Sequence, residues 1–250
     1  MTGPPRRTRS VAGQPVAWLE AGVGPPLVLV HGAGGSAELW PRQLDALADV
    51  AQVLAPDLPG HGPLGGRGRP SIAAYAEWLD AFLAAVTEEP AVLVGHSMGG
   101  AVALTYAALH PGRLARLVIV DTTLHMTPDR IAKLREVGTR PGRTYATREE
   151  FVSRFRLRPA DSSALPEVLR HLANQAAQKN SDGTWGHKFD RDVYAVRESV
   201  DGLPHWNHIK VPALLVKGGR SARITRKSSP KCRRARRRSN SPKSRAPITT

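Results

Sequence analysis

Residues 91–110 constrain this chain more than any other stretch. An apolar run, Ala91 to Val94, leads into Gly95-His96-Ser97-Met98-Gly99, and a helix of small residues, Gly99 to His110, follows at once. A strand that turns into a helix within so few residues strains the backbone and needs small neighbours. Gly95 and Gly99 provide that clearance and leave the Ser97 hydroxyl above the strand end. Taken alone the five-residue pattern is common by chance; strand before and helix after make it specific for a serine nucleophile.

The rest of the chain supplies a setting for such a turn. Short apolar runs bounded by Gly and Pro alternate with segments of helical period, the pattern of a mostly parallel sheet flanked by helices. Strands are expected at Pro15–Glu20, Pro26–His31, Gln52–Pro56, Ala91–Val94, Leu114–Val120 and Pro212–Lys217. Helices are expected at Pro41–Asp49 and Ser71–Thr87, the latter with Ile72, Tyr75, Ala76, Leu79, Phe82, Leu83 and Val86 on one face. Between Thr122 and Trp206 the pattern turns polar and mostly helical, with aromatics at Tyr145, Phe151, Phe155, Trp185, Phe189 and Tyr194. So long an insertion between two strands reads as a helical cap. The expected division is therefore residues 15–121 as the first part of the core, 122–206 as the cap, 207–225 as the return strand, and 226–250 as a disordered basic tail.

Charge is the feature that would otherwise mislead. The net charge of +15 suggests a nucleic-acid or membrane partner, but twelve of the 36 bases and none of the 21 acids lie in residues 220–250. The remaining 24 bases against 21 acids make an ordinary body. Residues 226–250 have neither periodicity nor aromatics, so they lack what nucleic-acid binders interleave with their charges, and no nucleic-acid partner is expected. A non-catalytic remnant whose basic tail contacts nucleic acid or acidic surfaces is the competing reading. Cys232 is the single cysteine, which excludes an intrachain disulfide. Met1–Ser10 is basic, but Gly13, Gln14 and Pro15 interrupt the segment after it, and no apolar stretch reaches the length of a signal or a membrane span. The expectation is a soluble cytoplasmic protein with no membrane partner.

A second glycine-rich segment, His31-Gly32-Ala33-Gly34-Gly35, comes directly after the strand ending at Val30. Two backbone N–H groups hold the oxyanion of an acyl-transfer intermediate, and here Ala33 and Met98 would supply them. No Gly-Lys-Ser/Thr comes next, which argues against a phosphate loop. Together with Asp57-Leu58-Pro59-Gly60-His61-Gly62, these motifs resemble the α/β-hydrolase superfamily, its serine hydrolase branch, over about residues 15–225. The resemblance implies that Ser97 is the nucleophile, that Ala33 and Met98 form the oxyanion hole, and that His61 and His96 are scaffold rather than general base; His31 reads from its place as a turn residue that hydrogen-bonds the local backbone. It implies hydrolysis of an ester, lactone or amide through an acyl-enzyme, a small-molecule carbonyl substrate, and no metal or other cofactor. The apolar and aromatic cap residues favour an uncharged substrate. Relatives with haloalkane or epoxide chemistry carry Asp at the elbow, so Ser97 disfavours both.

The resemblance breaks in two places. The usual acid stands a few residues after the strand that is here Pro212–Lys217, yet this chain reads Gly218-Gly219-Arg220-Ser221. Ser221 cannot steady an imidazolium as a carboxylate does. Some members place the acid at the end of the preceding strand, and Asp121 stands there, so Asp121 is the expected acid. The expected histidine lies after one further strand, but the last histidine is His208, and neither His205 nor His208 should reach Ser97. Reading one base out of phase after Thr225 accounts for the loss. With permitted codons, a single restored base turns Arg226–Cys232 into Pro-Glu-Val-Phe-Ala-Glu-Val, a helix start. Arg238–Lys243, with the first two bases of the next codon, becomes Gln-Val-Glu-Leu-Ala-Glu-Val, an alternating strand, and Pro247–Thr250 becomes Asp-His-His. The last strand, helix and histidine would then return in order. As written, the chain is expected to lack them and to be impaired.

Overall fold

A computed structural model describes residues 4–64, 68, 71–157, 162, 164–198, 201–219, 221 and 224. The expected basic tail, residues 226–250, lies outside the described residues. The main sheet has seven strands: β1 (Arg6–Val11), β2 (Gln14–Ala21), β3 (Pro26–Val30), β4 (Gln52–Pro56), β5 (Ala91–His96), β6 (Leu114–Val120) and, after the shorter strands of the cap, β9 (Ala213–Val216). Their order is β1-β2-β4-β3-β5-β6-β9. From β4 onward every neighbour is parallel, whereas β1–β2 and β2–β4 are antiparallel.

Strand β1 was not expected from sequence. Its burial runs one half-buried residue, four exposed and one buried, so no alternation announces it. A two-residue turn joins it to β2, with Ala12 and Gly13 both at positive φ (48° and 75°). Both central residues of a type I′ hairpin turn need that conformation.

Helices cover both faces. On one side α2 (Ile72–Val86) buries Ile72, Tyr75, Ala76, Trp78, Leu79, Phe82 and Leu83, and the Ser71 hydroxyl caps its start by accepting the Ala74 N–H at 3.0 Å. Beside it α3 (Met98–Leu109) is buried on nearly every side, which its Gly and Ala residues permit. The main core lies between these helices and β3, β5 and β6. On the opposite face α1 (Pro41–Leu47) buries Leu44 with Trp40, Leu19, Leu29 and Val53 in a smaller cluster.

The segment between β6 and β9 holds α4 (Pro128–Thr139), α5 (Arg148–Arg154), α6 (Pro166–Ala176), α7 (Asp192–Ala195) and α8 (Leu203–Trp206). It also contains an antiparallel hairpin, β7 (Ala177–Lys179) with β8 (Trp185–His187), where a mostly helical segment was expected. The strands are three residues each, too short to show a period of two, but Asn180 to Gly183 between them, with Gly183 at φ 86°, is a turn signal. No helix of the described residues is long and apolar enough to cross a membrane.

Candidate active site

The turn between β5 and α3 places Ser97 at φ 54°, ψ −119°, a left-handed conformation that side chains rarely adopt. Its neighbours make the turn possible. A Cβ on Gly95 would fall 2.3 Å from the Gly99 carbonyl oxygen, and one on Gly99 would fall 2.4 Å from the carbonyl oxygens of Val30 and His31. A side chain at Gly95 would push the start of α3 off β5, and one at Gly99 would push the elbow away from β3. The clearance read from sequence is therefore a backbone-to-backbone requirement.

The glycine-rich segment after β3 closes on the elbow. A Cβ on Gly32 would lie 2.9 Å from Ser97 Cβ, so Ala33 is next to a residue in direct contact with the serine. The Met98 N–H is the first of α3 and has no partner within the helix. No hydrogen bond among the described residues uses the N–H of Ala33 or Met98. Two free donors thus flank Ser97, one from each side of the elbow.

His31 and His61 hold these loops in place. His31 Nε2 accepts the Leu58 N–H at 3.0 Å, and its Nδ1 lies 2.8 Å from the Gly32 carbonyl. His61 Nε2 accepts the Gly34 N–H at 3.0 Å, and its Nδ1 lies 3.1 Å from the Pro59 carbonyl. Each ring therefore carries its proton on Nδ1 and is neutral. Burial pushes both below the usual histidine range, His61 well below it, with the neighbouring His31 adding to the effect. The structural roles expected for these two side chains are explained by their hydrogen bonds.

Asp57, in the same loop, is 6% exposed; its carboxylate accepts the Ala37 N–H at 2.8 Å and pairs with Arg6 of β1 at 2.5 Å. Arg6 also reaches Glu38 at 2.9 Å. This clamp from an N-terminal strand to the motif loop has no signal in the sequence.

Asp121 ends β6 next to the elbow, for the Ser97 N–H donates to the Val120 carbonyl at 3.0 Å. Its backbone is also left-handed, at φ 42°. The Asp121 carboxylate caps no cap helix. Instead Oδ1 accepts the Gly218 N–H at 3.1 Å and Oδ2 accepts the Ser221 hydroxyl at 2.9 Å. The end of β6 and the turn after β9 thus meet at one point, so the two positions at which the resemblance allows an acid are neighbours in space.

The histidines are placed elsewhere. His208 is exposed, its Nδ1 3.0 Å from the Pro204 carbonyl. His205 lines a cavity of about 210 Å³ with Ser71, Ala101, Thr105, Glu198 and Asp201, and Ser97 is not part of that lining. His110, His125 and His171 face Asp80, Asp201 and Glu38. His187 is packed against Phe189, with ring centroids 4.6 Å apart; desolvation of the ring lowers its pKa to about 4, although the residue keeps an exposed surface that screens the effect. His96 is on the elbow, near Gly32. For the other eight, no hydrogen bond among the described residues joins an imidazole to Ser97 or to Asp121. No group of His, Cys, Asp and Glu among the described residues is arranged to hold a metal.

The segment between β6 and β9 reaches the elbow loops through residues 189–197. Phe189 stacks on His61 with centroids 6.1 Å apart, the Tyr194 hydroxyl donates to the Ala33 carbonyl at 3.4 Å, and the Asp190 N–H donates to the Gly60 carbonyl at 2.7 Å. Arg197 lies 3% exposed against Met98, a residue that sequence reading did not single out.

A family model described as alpha/beta hydrolase fold matches residues 25–241, starting later and running further than the motifs alone suggested. An esterase of Mycobacterium tuberculosis is 29% identical over 238 residues, 90% of this chain and 76% of that protein. The dihydrolipoyllysine-residue acetyltransferase component of the acetoin cleaving system of Pseudomonas putida is 41% identical over 121 residues, 47% of this chain. That match spans only 33% of the relative, so the chain corresponds to about a third of its length. Among solved structures, a thioesterase domain from the curacin biosynthetic pathway superposes with a TM-score of 0.74 at 22% identity, covering 91% of this chain and 87% of that one.

Proposed function

Because the chain belongs to the alpha/beta hydrolase fold family, we propose that it is a serine hydrolase acting on a small ester, lactone or amide through an acyl-enzyme, with Ser97 as nucleophile. The observation that carries this reading is the left-handed Ser97, held between β5 and α3 with the glycine-rich loop against it. Strain of this kind persists where surrounding structure over-determines it, and it clusters at functional sites.

In the proposed reaction Ser97 Oγ bonds to the substrate carbonyl carbon, and the N–H groups of Ala33 and Met98 stabilise the oxyanion. The alcohol or amine then leaves with a proton. Water adds to the Ser97 ester, and the acid product departs as the serine recovers its proton. Asp121 is the acid that would orient and steady an imidazolium, and its hydrogen bonds to Gly218 and Ser221 fix the carboxylate at the strand end. With no hydrogen bond from any of those eight imidazoles to either residue, proton transfer is the deficient step. Losing a triad member leaves only the catalysis of the oxyanion hole and binding, on the order of a thousandfold over water.

Initial rates with 4-nitrophenyl butyrate test the reading. The parent chain is expected to be slow but above Ser97→Ala, which falls to background. Equal rates for the two would refute Ser97 as the nucleophile.

A further inference from the structure

Arg197 lies just beyond α7 in the cap and is buried, 3% exposed. Its Nε and Nη2 donate to the Val193 carbonyl at 3.1 and 2.8 Å, Nη2 also meets the Met98 sulfur, and the guanidinium lies 5.6 Å from the centre of the Tyr75 ring. Nη1 is buried and makes no hydrogen bond among the described residues. No carboxylate of the described residues lies within ion-pair distance of Arg197. Of the chain's 21 acids, Asp161 alone lies outside the described residues.

A cation withdrawn from water is costly unless paired with an anion. One carbonyl, a thioether and an aromatic face compensate it poorly, and Arg is the residue whose planar fork matches a carboxylate. The position gives that fork a use. Met98, which the guanidinium touches, is the residue after Ser97, and Tyr194 of the same cap segment bonds to Ala33. The guanidinium that carries the free N–H therefore touches Met98, the residue after Ser97 and one of the two proposed to hold the oxyanion.

We propose that Arg197 is an anion anchor that selects substrates carrying a free carboxylate on the acyl side, so that the preferred class is the monoester of a short dicarboxylic acid. The inference rests on the serine hydrolase reading for its reaction, but the anchor binds its ligand whether or not Ser97 reacts. It replaces the uncharged substrate expected from the apolar composition of the cap. In this reading the methylenes of the acyl chain span from Ser97 to the one buried cation, which sets the charge at the far end.

Binding to the full-length Ser97→Ala protein separates the two claims, because no turnover is needed. Calorimetric titration with monomethyl glutarate and dimethyl glutarate compares one skeleton with and without a carboxylate. The monoester is expected to bind about tenfold tighter or more, the difference a charge-assisted hydrogen bond makes in a site shielded from water. Adding Arg197→Gln should bring the two ligands within about twofold of each other, while Arg197→Lys keeps part of the preference. Equal binding of the two esters, no binding of either, or a preference that survives Arg197→Gln overturns the anchor. Should Arg197→Gln fail to fold, the comparison of the two esters on the parent background and on Arg197→Lys still decides. Failure of the serine hydrolase reading shows separately, as equal ester hydrolysis by the parent chain and Ser97→Ala.

Discussion

Ser97 and Asp121 both sit at positive φ at adjacent strand ends, and both conformations work against stability. Glycine adopts such a backbone without steric strain, so Ser97→Gly should raise the unfolding free energy by about 1 kcal/mol while abolishing ester hydrolysis. Urea denaturation beside a rate assay reads both effects, and a stability loss would show that the serine is not strained. Gly99→Ala should do the reverse, costing at least ~2 kcal/mol, since the added methyl would meet two carbonyl oxygens of the neighbouring strand. The histidines add a pH dependence. His31, His61 and His187 all have folded pKa values below the ordinary 6.5, so the unfolded chain binds protons first as pH falls. Their stabilisation is full above pH 6.5 and is lost on acidification, for His187 down to about pH 4. His187 itself is exposed at the end of β8, so solvent screening reduces what that shift contributes to stability. Denaturation midpoints should therefore fall from pH 6.5 to 4, and His187→Phe should flatten the fall.

Most of the main sheet was legible because its central strands read as continuous apolar runs, with β3 and β4 buried or half-buried throughout. Gln52–Pro56 and Leu114–Val120 carry the bounds expected of them, and β5 runs only two residues further. Helix α2 was legible for a related reason, since six of its seven expected core positions are buried in the structure. What stayed hidden has short or exposed elements. Strand β1 shows four exposed residues in a row, and the β7–β8 pair is too brief to establish a period. The elbow was legible because chemistry and backbone clearance demand particular residues in sequence. Arg6 and Arg197 were not, for each meets its partners across dozens of residues, and a lone arginine has no local pattern. Strand β1 matters to the site through Arg6, which covers the Asp57 carboxylate. Arg6→Ala leaves that carboxylate, 4% exposed, with a single backbone donor among its described hydrogen bonds. Because Arg6 itself is 26% exposed, the expected cost is about 1–3 kcal/mol, below that of breaking a fully buried pair, and it is read as a lower urea midpoint.

At the scale of the molecule, the sheet and elbow bring the proposed nucleophile Ser97, the N–H groups of Ala33 and Met98 and the proposed acid Asp121 to the ends of adjacent strands. Among the described residues β9 pairs only with β6, and Leu214 and Val216 are 46% and 39% exposed. An apolar edge strand of this kind is a template for association. If one base near codon 226 restores the frame, the restored protein should be monomeric by light scattering and hydrolyse activated esters on the order of a thousandfold faster. The present chain should associate and be slow. Its slowness also yields the most direct test of the central claim. Without an adjacent base the Ser97 proton passes to water or hydroxide and acylation is slow, but 4-nitrophenolate leaves without a general acid, whereas release of the acyl group expels the far poorer serine alkoxide and is slower still. Intact-mass measurement and peptide mapping after incubation with 4-nitrophenyl butyrate should therefore find one butyryl group per chain, on Ser97, and none on Ser97→Ala. An unmodified Ser97, or the same labelling in the Ser97→Ala chain, would contradict the account.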